Sequence, residues 1–126
     1  MDNVRLYTRV STDEQRRNGQ SIEAQKEQLY EYCNNNDLNV LDYYEDNGFS
    51  GGTLKRPAFQ KLLKDLRPNE VVLTCRLDRL TRSTVDGLSV INDWNDKNIG
   101  VKCIHDLDID TTTANGKLIL TVLLGL

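Results

Sequence analysis

The chain of 126 residues has little of what holds a small protein together from outside its own core. It has three cysteines, Cys33, Cys75 and Cys103, an odd number with no C-x-x-C pair, and one histidine, His105. Such a set builds neither a disulfide framework nor a zinc site. Three scattered thiols at apolar positions read as buried free cysteines in a reducing compartment, so a cytoplasmic location is expected. Long apolar runs are missing too. The longest, Leu118 to Leu126, is interrupted by Thr121 and is far too short to span a bilayer. A secretory signal is not visible: Asp2, Arg5 and Arg9 stand where an apolar segment would have to begin. Nor is there a basic excess. Nineteen acidic residues against sixteen basic ones give a net charge of −3. That excludes a uniformly basic domain, the simplest nucleic-acid binder, while leaving room for a local basic site.

What is present is ordinary for one globular domain. Hydrophobic residues make up 38% and charged residues 28%, which argues against disorder. A chain of this size buries roughly two thirds of its unfolded surface and needs no staple to fold. Val4–Val10 reads as a strand, followed by a polar, breaker-rich stretch over residues 11–20. From Ser21 the spacing predicts a helix, with Ile22, Leu29, Tyr32 and Cys33 on one face and Gln25 close beside it. Leu38–Tyr44 is the next strand, and residues 47–52 form a loop with three glycines. Pro57 suits the first turn of a helix whose stripe is Phe59, Leu62, Leu63 and Leu66, and Pro68 stops it. Glu70–Cys75 is apolar and β-branched, as a central strand requires. Ser83 caps a further helix with the stripe Val85, Leu88, Ile91 and Trp94 or Asn95. Val101–His105 is a fourth strand, and a last apolar helix opens at Lys117. Strands alternating with helices predict an α/β fold, a mostly parallel central sheet with helices on both faces.

Three constellations stand out. Arg9 and Ser11, two apart at the end of the first strand, share a face there. Ligands of open α/β sheets bind at the carboxyl ends of strands, and a hydroxyl beside a guanidinium suits attack on a phosphate. The bland alternative is a polar strand end in which Ser11 or Thr12 caps a turn. Arg76, Asp78, Arg79 and Arg82 follow the apolar strand directly. If the chain turns helically, the three arginines share one side and make an anion site; otherwise they are a solvated helix start. The loop from Asn47 to Arg56 is glycine-rich and basic at its end, fit either to close on a substrate or simply to connect two elements.

Two patterns mislead. Gly48-Phe-Ser50-Gly-Gly52 matches G-x-S-x-G, and Asp78 and His105 follow in triad order. A nucleophile elbow needs its helix immediately after the serine, and here Thr53 to Arg56 intervene. Asp106, Asp108 and Asp110 resemble the start of a calcium loop, but Thr111 replaces its glycine and Lys117 its terminal glutamate.

Taken together, the motifs resemble the catalytic domain of the serine recombinases, the resolvase/invertase family. Tyr7-x-Arg9-Val-Ser11-Thr-x-x-Gln15 resembles the nucleophile motif. Asp46-x-Gly48-x-Ser50-Gly51 with Arg56-Pro57 resembles the mobile loop, and Leu77-Asp78-Arg79-Leu80-x-Arg82 the arginine motif. Asp110 to Lys117 resembles the lead-in to the long dimer helix. The ten residues from Arg16 to Gln25 look more like the large serine recombinases, such as phage integrases, than the compact resolvases. The resemblance implies a resolvase-like catalytic domain over residues 1–126, ending at the start of a truncated long C-terminal helix, with the DNA-binding domains absent from this chain.

By the same resemblance, Ser11 is the nucleophile that cleaves and rejoins DNA through a 5′-phosphoserine link. Arg9, Arg56, Arg79 and Arg82 stabilise the charge on the phosphate, and Asp78 orients the arginines or assists the leaving oxygen. Gln15 and Gln25 position the serine loop, while Tyr7 and Arg76 contact DNA phosphate. No metal and no cofactor are implied. The implied partners are double-stranded DNA at specific sites and further copies of the chain, a dimer on each site and a tetramer in the synapse. Two other readings stay open on the residues alone: a non-catalytic phosphate-binding or dimerisation module, and a magnesium-dependent nuclease using Asp106, Asp108 and Asp110.

Overall fold

Alternation along the first strand decides how the sheet is covered. In β1 (Asn3–Val10), Val4 and Leu6 join one buried cluster and Tyr7 the other, as successive strand residues must point to opposite faces. β3 (Val71–Thr74), buried at all four positions, divides its side chains likewise, Val71 and Leu73 against Val72. With β2 (Asn39–Asn47) and β4 (Gly100–Cys103) these form a sheet of order β2-β1-β3-β4 in which every neighbouring pair is parallel. The computed structural model describes residues 2–16, 21–82, 84–106, 110–112 and 116.

Helices cover both faces, as the sequence predicts. α2 (Ile22–Asn35) lays Leu29 and Cys33 on Val4, Leu6, Val71 and Leu73. Its N-cap is Ser21, whose hydroxyl accepts from the Ala24 N–H at 3.1 Å. On the other face, α3 (Pro57–Asp65) and α5 (Thr84–Asp96) bring Phe59, Leu62, Ile91 and Trp94 against Tyr7, Val72 and Val101. Cys33, Cys75 and Cys103 are buried free thiols. Among the described residues no helix is long and apolar enough to cross a membrane.

Four local features differ from the sequence reading. The polar stretch after β1 contains a short helix, α1 (Thr12–Arg16). β2 runs three residues past Tyr44, because Thr8, Arg9 and Val10 go on pairing with Glu45, Asp46 and Asn47. After β3 comes a single turn, α4 (Leu77–Leu80), with extended backbone at Arg76 and Thr81. Arg76, Arg79 and Arg82 therefore do not share a helix face: Arg79 is buried, while Arg76 and Arg82 are exposed. In α5, Val85 is 77% exposed and the inward stripe rests on Ile91 and Trp94. The proposed cap Ser83, Asp108 and the helix expected from Lys117 lie outside the described residues.

Candidate active site

The carboxyl ends of β1, β2 and β3 release three segments that meet over the sheet edge. The loop after β2 is tied to β1 by the N–H groups of Gly48 and Phe49, which donate to the Val10 carbonyl at 2.8 and 3.1 Å. The same loop is tied to the segment after β3 by the Arg82 N–H, which donates to the Gly51 carbonyl at 2.9 Å. Gly48 has φ 90°, in the left-handed region that glycine enters freely.

Arg9 is the knot between the three. Its side chain is fully buried, and its guanidinium donates to the carbonyls of Arg79 (3.1 Å), Phe49 (2.9 Å) and Asp78 (2.7 Å). Gly51 packs on that guanidinium so closely that a Cβ would stand 2.9 Å from its central carbon. Burial, reinforced by the charge of Arg79, lowers the pKa of Arg9 below that of an ordinary arginine. Gln25 brackets the Arg9 peptide from α2: its amide donates to the Arg9 carbonyl at 3.0 Å and accepts from the Arg9 N–H at 3.3 Å.

Arg56, also fully buried, makes a second knot. It donates to the carbonyls of Thr53 (2.8 Å) and Leu80 (2.7 Å) and to the Tyr7 hydroxyl (2.9 Å). It also lies over the Phe59 ring, 4.2 Å from the centroid. Tyr7 in turn donates to Asp46 at 2.8 Å, and burial raises its pKa well above that of an ordinary tyrosine. Asp46 then accepts from the N–H groups of Ala58 and Phe59, each at 2.9 Å. Arg56, the N-cap residue of α3, makes no side-chain cap bond. A carboxylate from the neighbouring strand thus satisfies the first turn in its place.

Ser11 stands at the mouth, half-buried, and is the cap of α1. Its Oγ accepts from the Glu14 N–H at 3.2 Å, while the Glu14 carboxylate accepts from the Ser11 N–H at 2.9 Å. This reciprocal pair is a capping box. Glu14 also pairs with Arg79 Nη2 and lies 3.7 Å from Arg9 Nη1. Burial alone would raise the Glu14 pKa. The hydrogen bonds from Arg79 and Ser11 outweigh it and hold the carboxyl down at about 2. Arg79 spends Nη1 on the Arg9 carbonyl at 3.0 Å and Nε on Asp78 at 3.1 Å.

The sequence-predicted site residues thus fall into two groups. Ser11, Arg9, Gln25, Asp78 and Arg79 are linked in one network, with Tyr7 and Arg56 joined to it through the Arg79 and Leu80 carbonyls. Arg76 and Arg82 are exposed at the same edge. The Gln15 side chain lies outside what is described. His105 pairs with Gln28 instead, at 2.6 Å. Among the described residues no group of three or more His, Cys, Asp or Glu is placed to hold a metal ion, and Asp110 pairs with Lys102. Glu14, legible as the fourth residue of S-x-x-E, was not singled out by sequence reasoning, and Asp46 entered only as part of the loop motif, because its capping of another element has no local signal.

The carboxyl edge of the sheet thus carries a half-buried hydroxyl, clustered guanidiniums and a glycine loop. The chain matches the family described as Resolvase, N terminal domain, over residues 4–126, and it belongs to that family. It is 32% identical over 122 residues to a resolvase of Clostridium perfringens, covering 95% of this chain and 59% of that one. It thus spans about three fifths of that relative's length. Its fold matches the N-terminal catalytic domain of TP901-1 integrase with a TM-score of 0.85 and 39% identity, over 97% of this chain and 91% of the other. A resolvase-family site-specific recombinase from Streptococcus pneumoniae matches with a TM-score of 0.78 and 33% identity, over 98% of this chain and 83% of that one.

Proposed function

We propose that this chain is the catalytic domain of a site-specific DNA recombinase, with Ser11 as its nucleophile. One observation carries the reading: the Ser11 N–H and the Arg79 guanidinium converge on a single carboxylate at the carboxyl edge of the sheet, with the Ser11 hydroxyl beside it on the Glu14 N–H. Replacing that carboxylate by a phosphodiester gives the arrangement that transesterification needs. Ser11 Oγ attacks phosphorus, the bond to the 3′-oxygen breaks, and a 5′-phosphoserine link and a free 3′-hydroxyl result. One phosphate ester replaces another, so rejoining needs no nucleotide cofactor.

The transition state gathers negative charge on the non-bridging oxygens, which fixed cations stabilise. Arg79 is the innermost of these, with Arg76 and Arg82 exposed around it. Arg9 and Arg56 work from behind. Their donors hold the carbonyls of Asp78, Arg79 and Leu80, which fixes the turn carrying Arg79. Gln25 fixes the strand end that leads into Ser11. The Glu14 carboxylate, held near pKa 2, is too weak a base to activate Ser11.

Because its curated relatives are longer, we further propose that residues 1–126 act with a long C-terminal helix and DNA-binding domains outside this chain. The partners are then duplex DNA at recombination sites and further copies, a dimer per site and a tetramer at the synapse, in a bacterial cytoplasm. Strand cleavage of site-containing DNA, with EDTA throughout, tests the chemistry. Ser11→Ala should abolish cleavage, and Arg82→Ala should slow it by about a hundredfold, the usual loss of one charge-stabilising donor. Cleavage that survives Ser11→Ala and vanishes in EDTA contradicts the reading and favours a magnesium-dependent nuclease.

A further inference from the structure

The Glu14 carboxylate sits on the donors that the proposed function assigns to a substrate phosphate. Its oxygens are held by the Ser11 N–H and by Arg79 Nη2, with Arg9 Nη1 at 3.7 Å. Carboxylate and phosphodiester each present two anionic oxygens that take paired N–H donors, so they compete for the same groups. Of the three Arg79 nitrogens, Nη1 is fixed on a strand carbonyl and Nε on its chain neighbour Asp78. The Glu14 contact is the one that a small movement can release, because Glu14 rides on the five-residue α1. Its side chain is also 23% exposed, whereas that of Arg9 is fully buried.

We propose that Glu14 is a resident anion that occupies the phosphate site of the free domain and must swing out before DNA engages Arg79 and Ser11. This rests on the proposed phosphoryl-transfer role of that edge. The carboxylate neutralises Arg79 and Arg9 while no substrate is present, and it takes up the Ser11 N–H. Ordered binding follows: an incoming phosphate replaces the Glu14 carboxylate on Arg79 and on the Ser11 N–H, which brings phosphorus beside the Ser11 hydroxyl.

Glu14→Gln separates charge from cap, because glutamine also closes a capping box. The probe is inorganic phosphate, titrated into this chain and followed by the backbone amide resonance of Ser11. Glu14→Gln should bind phosphate about tenfold more tightly than wild type, the scale of one charge-assisted contact no longer competing. Asp13→Asn, one residue away and exposed, should bind as wild type. Adding Arg79→Ala to Glu14→Gln should remove the gain. In wild type carrying carbon-13 glutamate, the Glu14 carboxyl resonance should move as phosphate saturates, a readout that needs no variant to fold. Equal affinity of Glu14→Gln and wild type, an equal gain in Asp13→Asn, a gain that survives Arg79→Ala, or an unmoved Glu14 resonance would each overturn the proposal. These outcomes are independent of DNA cleavage. Absence of a Ser11–DNA link refutes the recombinase reading with the phosphate result intact, and equal affinities refute the resident anion with the link intact.

Discussion

Removing the Asp46 carboxylate should unseat the first turn of α3. Asp46 is 1% exposed and accepts three hydrogen bonds, from Ala58 N–H, Phe59 N–H and the Tyr7 hydroxyl. The first two are orphan donors of the α3 first turn, which Arg56 does not cap. Losing a cap of this kind costs about 1 kcal/mol. Leaving a buried donor without a partner adds about 1–3 kcal/mol. The Tyr7 hydroxyl still meets Arg56 and contributes less. Asp46→Ala should therefore destabilise the chain by about 3 kcal/mol, which lowers Tm by about 12 °C at roughly 4 °C per kcal/mol for a chain of this size. Asp46→Asn keeps the shape but turns a donor toward donors, and should lose about 2 kcal/mol on the same grounds. Urea unfolding followed by circular dichroism measures both. Asp42→Ala is the control: Asp42 is exposed on the same strand, and its pair with Lys61 at 3.6 Å lies in solvent, so the change should leave stability nearly untouched. If Asp46→Ala moves stability no more than Asp42→Ala, Asp46 does not cap α3 and the account of how Arg56 is placed is wrong.

Gly51→Ala should disturb the Arg9 knot, since its Cβ would meet the guanidinium at 2.9 Å. An amide spectrum should show shifts at Phe49, Asp78 and Arg79, and shifts confined to residues 50–52 would contradict the packing. Glu14 has a folded-state pKa of about 2, below its usual value, so its stabilising pairs are fully present above about pH 4.5 and are lost as pH falls toward 2. Glu14→Gln should flatten stability against pH across that window, and an unchanged slope would refute the pairing. The three thiols should resist a colorimetric thiol reagent at pH 8 until the chain unfolds, because burial pushes the Cys75 thiol up to about 11 and raises those of Cys33 and Cys103. Rapid labelling of the folded chain would contradict their burial.

The elements that carry a clear period were legible in the sequence. α2 shows its stripe and begins just after Ser21, where the spacing puts it, and β3 is a short β-branched run that lies inside the sheet. What the sequence concealed depends on contacts between distant segments. β2 extends to Asn47 only because β1 is beside it. The arginine segment reads as a helix start, yet the buried guanidiniums of Arg9 and Arg56 take up its carbonyls and leave one turn. Val85 fits an apolar stripe and still faces outward. At the site, the residue types were readable and their division of labour was not. Arg9 and Arg56 have the same composition signal as Arg82, and only burial separates the cations that hold backbone from the one that faces solvent. Ser11 is the cap of α1, the blander of its two sequence readings, and that place at a helix start leaves open the nucleophile role proposed for it.

The most direct test of the central claim is covalent trapping. This domain, joined to the DNA-binding domains proposed for it, is incubated with candidate recognition DNA, nicked so that rejoining fails, with EDTA present, and run on a denaturing gel. The account predicts a protein–DNA adduct in wild type, none in Ser11→Ala, and a peptide map that places the link at Ser11. Bound DNA with no adduct in wild type, or an adduct that persists in Ser11→Ala, would contradict it.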